Sequence, residues 1–407
     1  MHTCDPAREC RKRTKEDQSF LLHVSKRASK IAEEPFYIAL NLPPDILRLT
    51  AGEPDFPSAP FVIEAAKSAL SEKQTHYTAP AGIMPLRQGI ARKLKDENKL
   101  SYEPNEVIVA PGSSGAIGLA LIAMLDPGEE VLIPDPAWFH YATLVELAGG
   151  IPKRVKLDAR DGFRIHGDDI EKAVTEKSRG LILNSPSNPM GRVFSRSELE
   201  EVAGAAERRS LTVLSDEIYE KIVYPPNTHT SIGSLSGMKE RTFVVNGFSK
   251  GYALMGWRVG YVAAPIEVSR KLEPLLGYTL VCASSVSQYA ALEAIQNPES
   301  HRYAKMMLES WTRRREIVMR YASENSKVIS AMPPEGTFYS WIDVSRSGLD
   351  GRSAAQLALD KEKVGVMPGI LFGDAGRNHV RVSFATSDDI VEEGMKRFCR
   401  MLTKHLQ

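Results

Sequence analysis

Between residues 106 and 265 the chain repeats one pattern. A short apolar run is followed by a segment whose apolar residues recur at helical spacing. Seven runs fit: EVIVA, EVLIP, IPKRV, RGLILN, LTVLSDE, RTFVVNG and WRVGYVAAP. Helical spacing occupies 112–125, 136–147, 168–175 and 195–208 between them. Alternation over this length calls for an α/β fold with a mostly parallel, seven-stranded sheet wrapped by helices. Such a sheet takes its ligand outside the carboxyl ends of its strands.

The flanks read differently. After Pro265 come helical stretches at 285–296 and 299–323, a strand at 337–344, a helix at 353–363, a strand at 379–384 and a closing helix, the makings of an α+β unit. Ahead of the repeat stand a polar tail (1–18), an amphipathic arm (19–38), a strand at 46–49 and the rigid crossing AGEPDFPSAP. Helices at 61–71 and 84–98 follow, joined by a loop that carries Tyr77. A chain of 407 residues exceeds what one core fills. The expected division is a large domain over 58–297 and a smaller one over 298–407, joined by part of 19–57.

Composition removes several classes of function. A formal charge of +1 with 25% charged residues offers no global field for nucleic acid or an anionic membrane, so small ligands are expected. Cys4, Cys10, Cys282 and Cys399 are scattered without metal-type spacing, which argues against a zinc site or a disulfide framework and for the reducing cytoplasm. No apolar run approaches a membrane span, and the N-terminus has no apolar secretion segment.

The chemistry collects where the strands end. RTFVVNG breaks at Asn246-Gly247 and delivers Ser249 and Lys250, with Arg258 eight residues beyond. A lysine amine in apolar surroundings loses hydration, which lowers its pKa towards the range of a usable nucleophile. EVIVA is followed by Gly112, Ser113, Ser114 and Gly115, which open a helix and suit a phosphate but lack the lysine of a nucleotide-triphosphate loop. Trp138 follows EVLIP, Asn188 follows RGLILN, and Asp216 and Tyr219 follow LTVLS. Each has an ordinary structural explanation alone. Together, after successive strands of one sheet, they match a flat aromatic cofactor with a phosphate, a ring nitrogen, a phenolic oxygen and an aldehyde.

With GEPDF, HYTAPAGI, NSPSNPMG, SDEIY, NGFSK, GWRVGY and HVRVSFAT in this order, residues 20–405 resemble the fold-type I pyridoxal phosphate enzymes. Within them the chain is similar to the class I/II aminotransferases, the aspartate aminotransferase superfamily. The resemblance implies pyridoxal 5'-phosphate held by Lys250 as a Schiff base, with Asp216 on the pyridine nitrogen. It puts Tyr219 and Asn188 on the phenolic oxygen and Trp138 over the ring. Ser113, Ser114, Ser249 and Arg258 would hold the phosphate, and Tyr77 would reach it from the neighbouring subunit of a homodimer with shared sites. Arg381, helped by Asn188 and the backbone at Gly52, would clamp the substrate carboxylate. The implied reaction passes an amino group from an L-amino acid to a 2-oxo acid by a ping-pong route, with Lys250 moving the proton.

Two positions depart from the pattern. Gly247 stands where many relatives carry a hydroxyl, and Ser114 stands where some carry a lysine for a distal carboxylate. His76, His140, Arg27 or Arg377 are the alternatives for such a cation, and spacing selects none of them. A broad donor range is therefore expected, with neutral or aromatic amino acids used at least as well as aspartate. Carbon–sulfur lyases and oxidative deaminases share the same cofactor residues and stay open at this point. A ligand-sensing regulator of this fold would need a winged-helix segment ahead of the arm.

Overall fold

The computed structural model describes residues 24–25, 28–31 and 42–406. Contacts divide the chain into two units, 1–33 and 34–407; among the described residues of the first is one 3-10 turn, Ala28–Lys30. The polar tail at 1–18 and most of the arm at 19–38, Arg27 included, lie outside the described residues.

The second unit opens with β1 (Leu47–Arg48), α1 (Pro60–Ser71) and α2 (Met84–Asn98). The repeat then yields β2 (Val107–Ala110), α3 (Gly112–Met124), β3 (Glu130–Asp135), α4 (His140–Leu147), β4 (Ile151–Lys156) and α5 (Gly167–Ala173). It continues with β5 (Ser178–Asn184), α6 (Arg196–Arg208), β6 (Thr212–Asp216), β7 (Thr242–Gly247) and β8 (Gly260–Ala263). After it come α7 (Ile266–Leu280), α8 (Ser285–Gln296), α9 (Glu299–Glu324), β9 (Ser330–Ala331), β10 (Tyr339–Asp343) and α10 (Gly351–Glu362). The chain closes with β11 (Val364–Gly365), β12 (Met367–Pro368), β13 (His379–Ser383) and α11 (Asp388–Leu406).

The expected seven strands form one sheet in the order β2-β8-β7-β6-β5-β3-β4. Only β8 runs against its neighbours, pairing antiparallel with both β2 and β7. The side chains explain why the strands read as unbroken apolar runs. In β5, Ile182 packs into the core on one face of the sheet while Leu181 and Leu183 pack into the core on the other. In β6, Leu214 and Val213 divide the same way. A sheet buried on both faces has no polar alternation to show, and truncating a fully buried leucine such as Leu214 to alanine would cost about 2–5 kcal/mol.

Local signals set the element ends. Ser195 and Glu198 form a capping box that starts α6: the Ser195 hydroxyl accepts from Glu198 N, and the Glu198 carboxylate accepts from Ser195 N at 2.9 Å. The carboxylate of Asp350 accepts from Ser353 N at 2.7 Å and starts α10. Helix α7 was not expected from the sequence. It carries Pro274 in its interior, a residue that ordinarily argues against a helix, and its buried face (Ser269, Leu272, Leu276) still packs on α3 and the sheet.

A four-stranded sheet, β12-β13-β10-β9, lies beside α9, α10 and α11, whose buried residues Trp311, Val318, Ala358, Met395 and Phe398 share one core with Phe338 and Val382. None of the described helices is long and apolar enough to cross a membrane.

Candidate active site

The carboxyl ends of β2, β3, β5, β6 and β7 open into one pocket. It is lined by Ser113, Ser114, Trp138, Asn188, Asp216, Tyr219, Ser249, Lys250 and Arg258, with Gly52 and Arg381 on the opposite side. Arg258 reaches the same edge because β8 is antiparallel: Gly260, where β8 begins, pairs with Ala110 and Gly247, where β2 and β7 end. Of the residues expected to hold the cofactor or the substrate carboxylate, Tyr77 is the one that does not line the pocket. It is 84% exposed in the loop between α1 and α2.

Lys250 follows β7 after the buried Phe248, and its Nζ donates to the Gly52 carbonyl at 2.6 Å. Loss of hydration pushes the ammonium down from 10.5 to about 8; Glu53 and Asp216 oppose that fall, while Arg258 and Arg381 add to it. Asp216 ends β6 and is 2% exposed. Its Oδ2 accepts from Tyr141 Oη at 2.6 Å and its Oδ1 from Ile218 N at 3.2 Å. Burial pushes this carboxyl up to about 6, against the pull of those two hydrogen bonds, so it remains ionised at neutral pH.

On one side the site suits an anion. Helix α3 starts at Gly112 with no side-chain cap, which leaves the backbone donors of its first turn for other partners. Arg258 adopts a left-handed φ of +55° and lies across this turn, where a Cβ on Gly112 would stand 2.4 Å from its Nη2. Gly247, which lacks the hydroxyl, is closely approached by the chain at the start of β8. A Cβ there would meet Gly260 Cα at 3.0 Å and the Val259 carbonyl at 3.1 Å, so β8 would have to give way.

On the other side stands Arg381, 3% exposed in β13. Its Nη1 donates to Asn188 Oδ1 at 2.8 Å and its Nη2 to the Thr50 carbonyl at 2.5 Å, while its buried Nε has no partner in the protein. The guanidinium carbon lies 4.2 Å from the Tyr339 ring centroid and 4.9 Å from that of Phe372. Tyr219 Oη is 3.0 Å from Tyr339 Oη. A buried fork with an unmade donor fits a planar carboxylate.

The third wall is aromatic. Trp138 stacks on His140 with ring centroids 4.0 Å apart, and it meets Tyr141 edge-on at 5.3 Å. Burial pushes His140 down to about 4, so it presents a neutral imidazole to the pocket. Arg377 pairs with Asp374 at 3.8 Å and His76 is exposed; neither lines the pocket.

Sequence reasoning did not single out Tyr141, Asn184 or Tyr339, although all three line the pocket. Asn184 was the most accessible of them, because it closes the run RGLILN. Its Oδ1 accepts from Asn188 N at 2.7 Å and its Nδ2 donates to the Asp216 carbonyl at 3.0 Å, which locks two strand ends together. Behind the sheet, Glu217, Glu220 and His229 bring ligand-type atoms within 4.8 Å of one another. The two carboxylates are already engaged, Glu217 by Ser215, Ser231 and His229 and Glu220 by the Lys93 ammonium and Asn98, while the buried Nδ1 of His229 has no partner among the described residues.

The model of the aminotransferases of class I and II matches residues 44–398. An aspartate aminotransferase of Pyrococcus abyssi is 41% identical over 359 residues, covering 88% of this chain and 92% of that protein. An aromatic-amino-acid aminotransferase of Thermococcus litoralis is 39% identical, over 88% of this chain and 92% of its own. The solved structure of the Thermus thermophilus aspartate aminotransferase with maleate superposes with a TM-score of 0.89 at 35% identity, covering 94% of this chain and all of that one. Those likenesses span nearly every element that builds the pocket, and they show that the chain belongs to the class I and II aminotransferases, pyridoxal-phosphate-dependent enzymes that transfer amino groups.

Proposed function

We propose that the pocket transfers the amino group of a neutral or aromatic L-amino acid to a 2-oxo acid at least as well as that of aspartate. The residues present fit the cofactor of the family: a cationic, glycine-lined turn for a phosphate, a buried carboxylate for a ring nitrogen, an amine of lowered pKa for an aldehyde, and an orphaned buried guanidinium donor for a substrate. When bound, pyridoxal phosphate supplies the electron sink that lets the substrate's Cα proton leave.

The remaining work falls to this chain's residues. Asp216 holds the pyridine nitrogen protonated, and its buried setting makes that pairing strong. Tyr219 and Asn188 donate to the phenolic oxygen, and Trp138 covers the ring. Ser113, Ser114, Ser249 and Arg258 hold the phosphate. Lys250 Nζ would attach the cofactor through its aldehyde carbon; once freed by an incoming amino acid, the amine would take the Cα proton and deliver it to that former aldehyde carbon instead of returning it to Cα. Arg381 takes the α-carboxylate, flanked by Asn188 and Gly52.

One observation carries the substrate reading. Among the described residues the cations that line the pocket are Lys250, Arg258 and Arg381, all engaged in these roles, and the fourth candidate, His140, is held neutral by burial. An unpaired distal carboxylate would cost several kcal/mol to desolvate, whereas a neutral or aromatic side chain meets Trp138, His140 and Tyr339. The relatives include both an aspartate and an aromatic-amino-acid aminotransferase. Catalytic efficiencies with phenylalanine, alanine and aspartate decide between them: a preference for aspartate above roughly a hundredfold, about 2.7 kcal/mol, would overturn the assignment.

We also infer a homodimer with shared sites. Gly277 packs against Pro80, which puts the end of α7 beside the Tyr77 loop. Tyr77, Tyr278, Leu280 and Val281 are exposed there, 84%, 93%, 50% and 44%. Apolar groups gathered in this way mark an interaction surface, and Tyr77 would then serve the phosphate of the neighbouring subunit. In this reading 58–297 is the cofactor domain, 298–407 with part of 19–57 is the smaller one, and the enzyme works in the reducing cytoplasm, where its unpaired Cys282 and Cys399 stay as thiols.

A further inference from the structure

Tyr339, so far named only as a surface for the substrate side chain, also touches both Tyr219 and Arg381. It begins β10, is 2% exposed and lines the pocket with Tyr219 and Arg381. Three independent contacts define its surroundings. Its hydroxyl is 3.0 Å from Tyr219 Oη, a distance at which either atom can be the donor. Its ring face lies 4.2 Å from the Arg381 guanidinium carbon. Gly52 approaches so closely that a Cβ there would stand 1.8 Å from the Tyr339 hydroxyl oxygen and 3.0 Å from Cζ.

Counting protons fixes the direction of the first contact. Each phenol has one proton to donate. In the function proposed above, the proton of Tyr219 goes to the cofactor's phenolic oxygen, so the Tyr219–Tyr339 bond must be donated by Tyr339. A hydroxyl that accepts one hydrogen bond becomes a better donor in the next. The ring does something separate. Two guanidinium nitrogens of Arg381 are tied to Asn188 and Thr50, and the plane is further held by the Tyr339 ring at 4.2 Å, the nearer of its two aromatic contacts, with Phe372 at 4.9 Å.

We propose that Tyr339 is a positioning residue with two separable actions. Its hydroxyl donates to Tyr219 and strengthens that phenol as a donor to the cofactor, and its ring face orients the Arg381 fork towards the substrate carboxylate. Gly52 has to lack a side chain because the hydroxyl occupies that space. The proposal rests on the roles of Tyr219 and Arg381 given above.

The test uses the substrate-free holoenzyme and follows the visible absorption of the lysine-bound cofactor against pH. A hydrogen bond donated to the phenolic oxygen favours its anionic form, so weakening the bond moves the midpoint upwards. Tyr219→Phe should raise the midpoint by about 1 in pH. Tyr339→Phe should raise it by about 0.3, because a cooperative bond adds roughly 10–30% to its neighbour. Gly52→Ala should imitate Tyr339→Phe by displacing the hydroxyl. Combined with Tyr339→Phe it should add little further, since the hydroxyl that it displaces is then already gone.

Binding of 3-phenylpropionate, a non-reacting monocarboxylate, reads the ring: Tyr339→Phe should stay within about twofold of wild type, and Tyr339→Leu should weaken binding about tenfold. If Tyr219→Phe moves the midpoint while Tyr339→Phe and Gly52→Ala leave it in place, the hydroxyl action is overturned and the role of Tyr219 stands. If Tyr219→Phe itself leaves it in place, that role falls and the proposal falls with it. Equal weakening of 3-phenylpropionate by Tyr339→Phe and Tyr339→Leu would overturn the ring action. Should Tyr339→Leu fail to fold, the Tyr339→Phe and Gly52→Ala midpoints still decide the hydroxyl action.

Discussion

Replacing Tyr141 by phenylalanine removes one hydroxyl and little else. The ring keeps its volume and its edge contact with Trp138, while Asp216 Oδ2 loses a hydrogen bond of 2.6 Å in a fully buried setting. A hydrogen bond to a charged group is worth about 1.5–3 kcal/mol, or about 1–2 in pKa. Asp216, which titrates at about 6 with the bond in place, should therefore titrate near 7–8 without it. At pH 7 its ionised fraction in the apoenzyme would fall from about nine-tenths to between roughly a half and a tenth. The carboxylate is ionised above its pKa, so the deficit in cofactor affinity should be about 2–10-fold at pH 7, grow towards pH 6 and close above about pH 9. Titrating apoenzyme with pyridoxal phosphate across this range, in wild type and variant, measures the ratio directly. A ratio that does not change with pH would show that Tyr141 does not act through the ionisation of Asp216.

Arg381→Leu should raise the half-saturating concentrations of aspartate, alanine and phenylalanine together, because the α-carboxylate is common to all; losing a buried charge pair costs about 2–5 kcal/mol, and steady-state kinetics with unchanged values for all three would remove Arg381 from the site. In the apoenzyme, about a tenth of Lys250 should be neutral at pH 7, against roughly one in three thousand for a lysine at 10.5, so its reaction with an aldehyde reagent should rise with pH about a midpoint near 8; a midpoint near 10 would contradict the burial account. Mixing Tyr77→Phe protein with Lys250→Ala protein under subunit exchange should leave one site with both residues intact per mixed dimer, and activity that stays at the level of the separate variants would refute shared sites.

How much of this could be read in the sequence follows from the range over which each signal acts. The strands were legible because each is a continuous apolar run between turn residues, and Lys250, Asp216 and Asn188 were legible because each sits just past such a run. Tyr141 and Tyr339 were not. One lies in a helix and one in a strand, where a tyrosine reads as core, and their hydroxyl partners are 75 and 120 residues away. Helix α7 was hidden by Pro274, whose local preference is outweighed by the packing of Leu272 and Leu276. The glycine at 247 reads in the sequence only as a missing hydroxyl; the close approach of Gly260 and Val259, at 3.0 and 3.1 Å from a Cβ placed there, is visible in the structure alone.

The central claim is that Lys250, at the end of β7, is the amine that holds the cofactor. Treating the pyridoxal-phosphate-loaded enzyme with borohydride fixes that bond permanently, and mass spectrometry of the digested protein locates it. The reduced cofactor should be found on the peptide that contains Lys250 and should be absent from the Lys250→Ala variant treated in the same way. A label on a different lysine of the wild-type enzyme, or none on Lys250, would contradict the account.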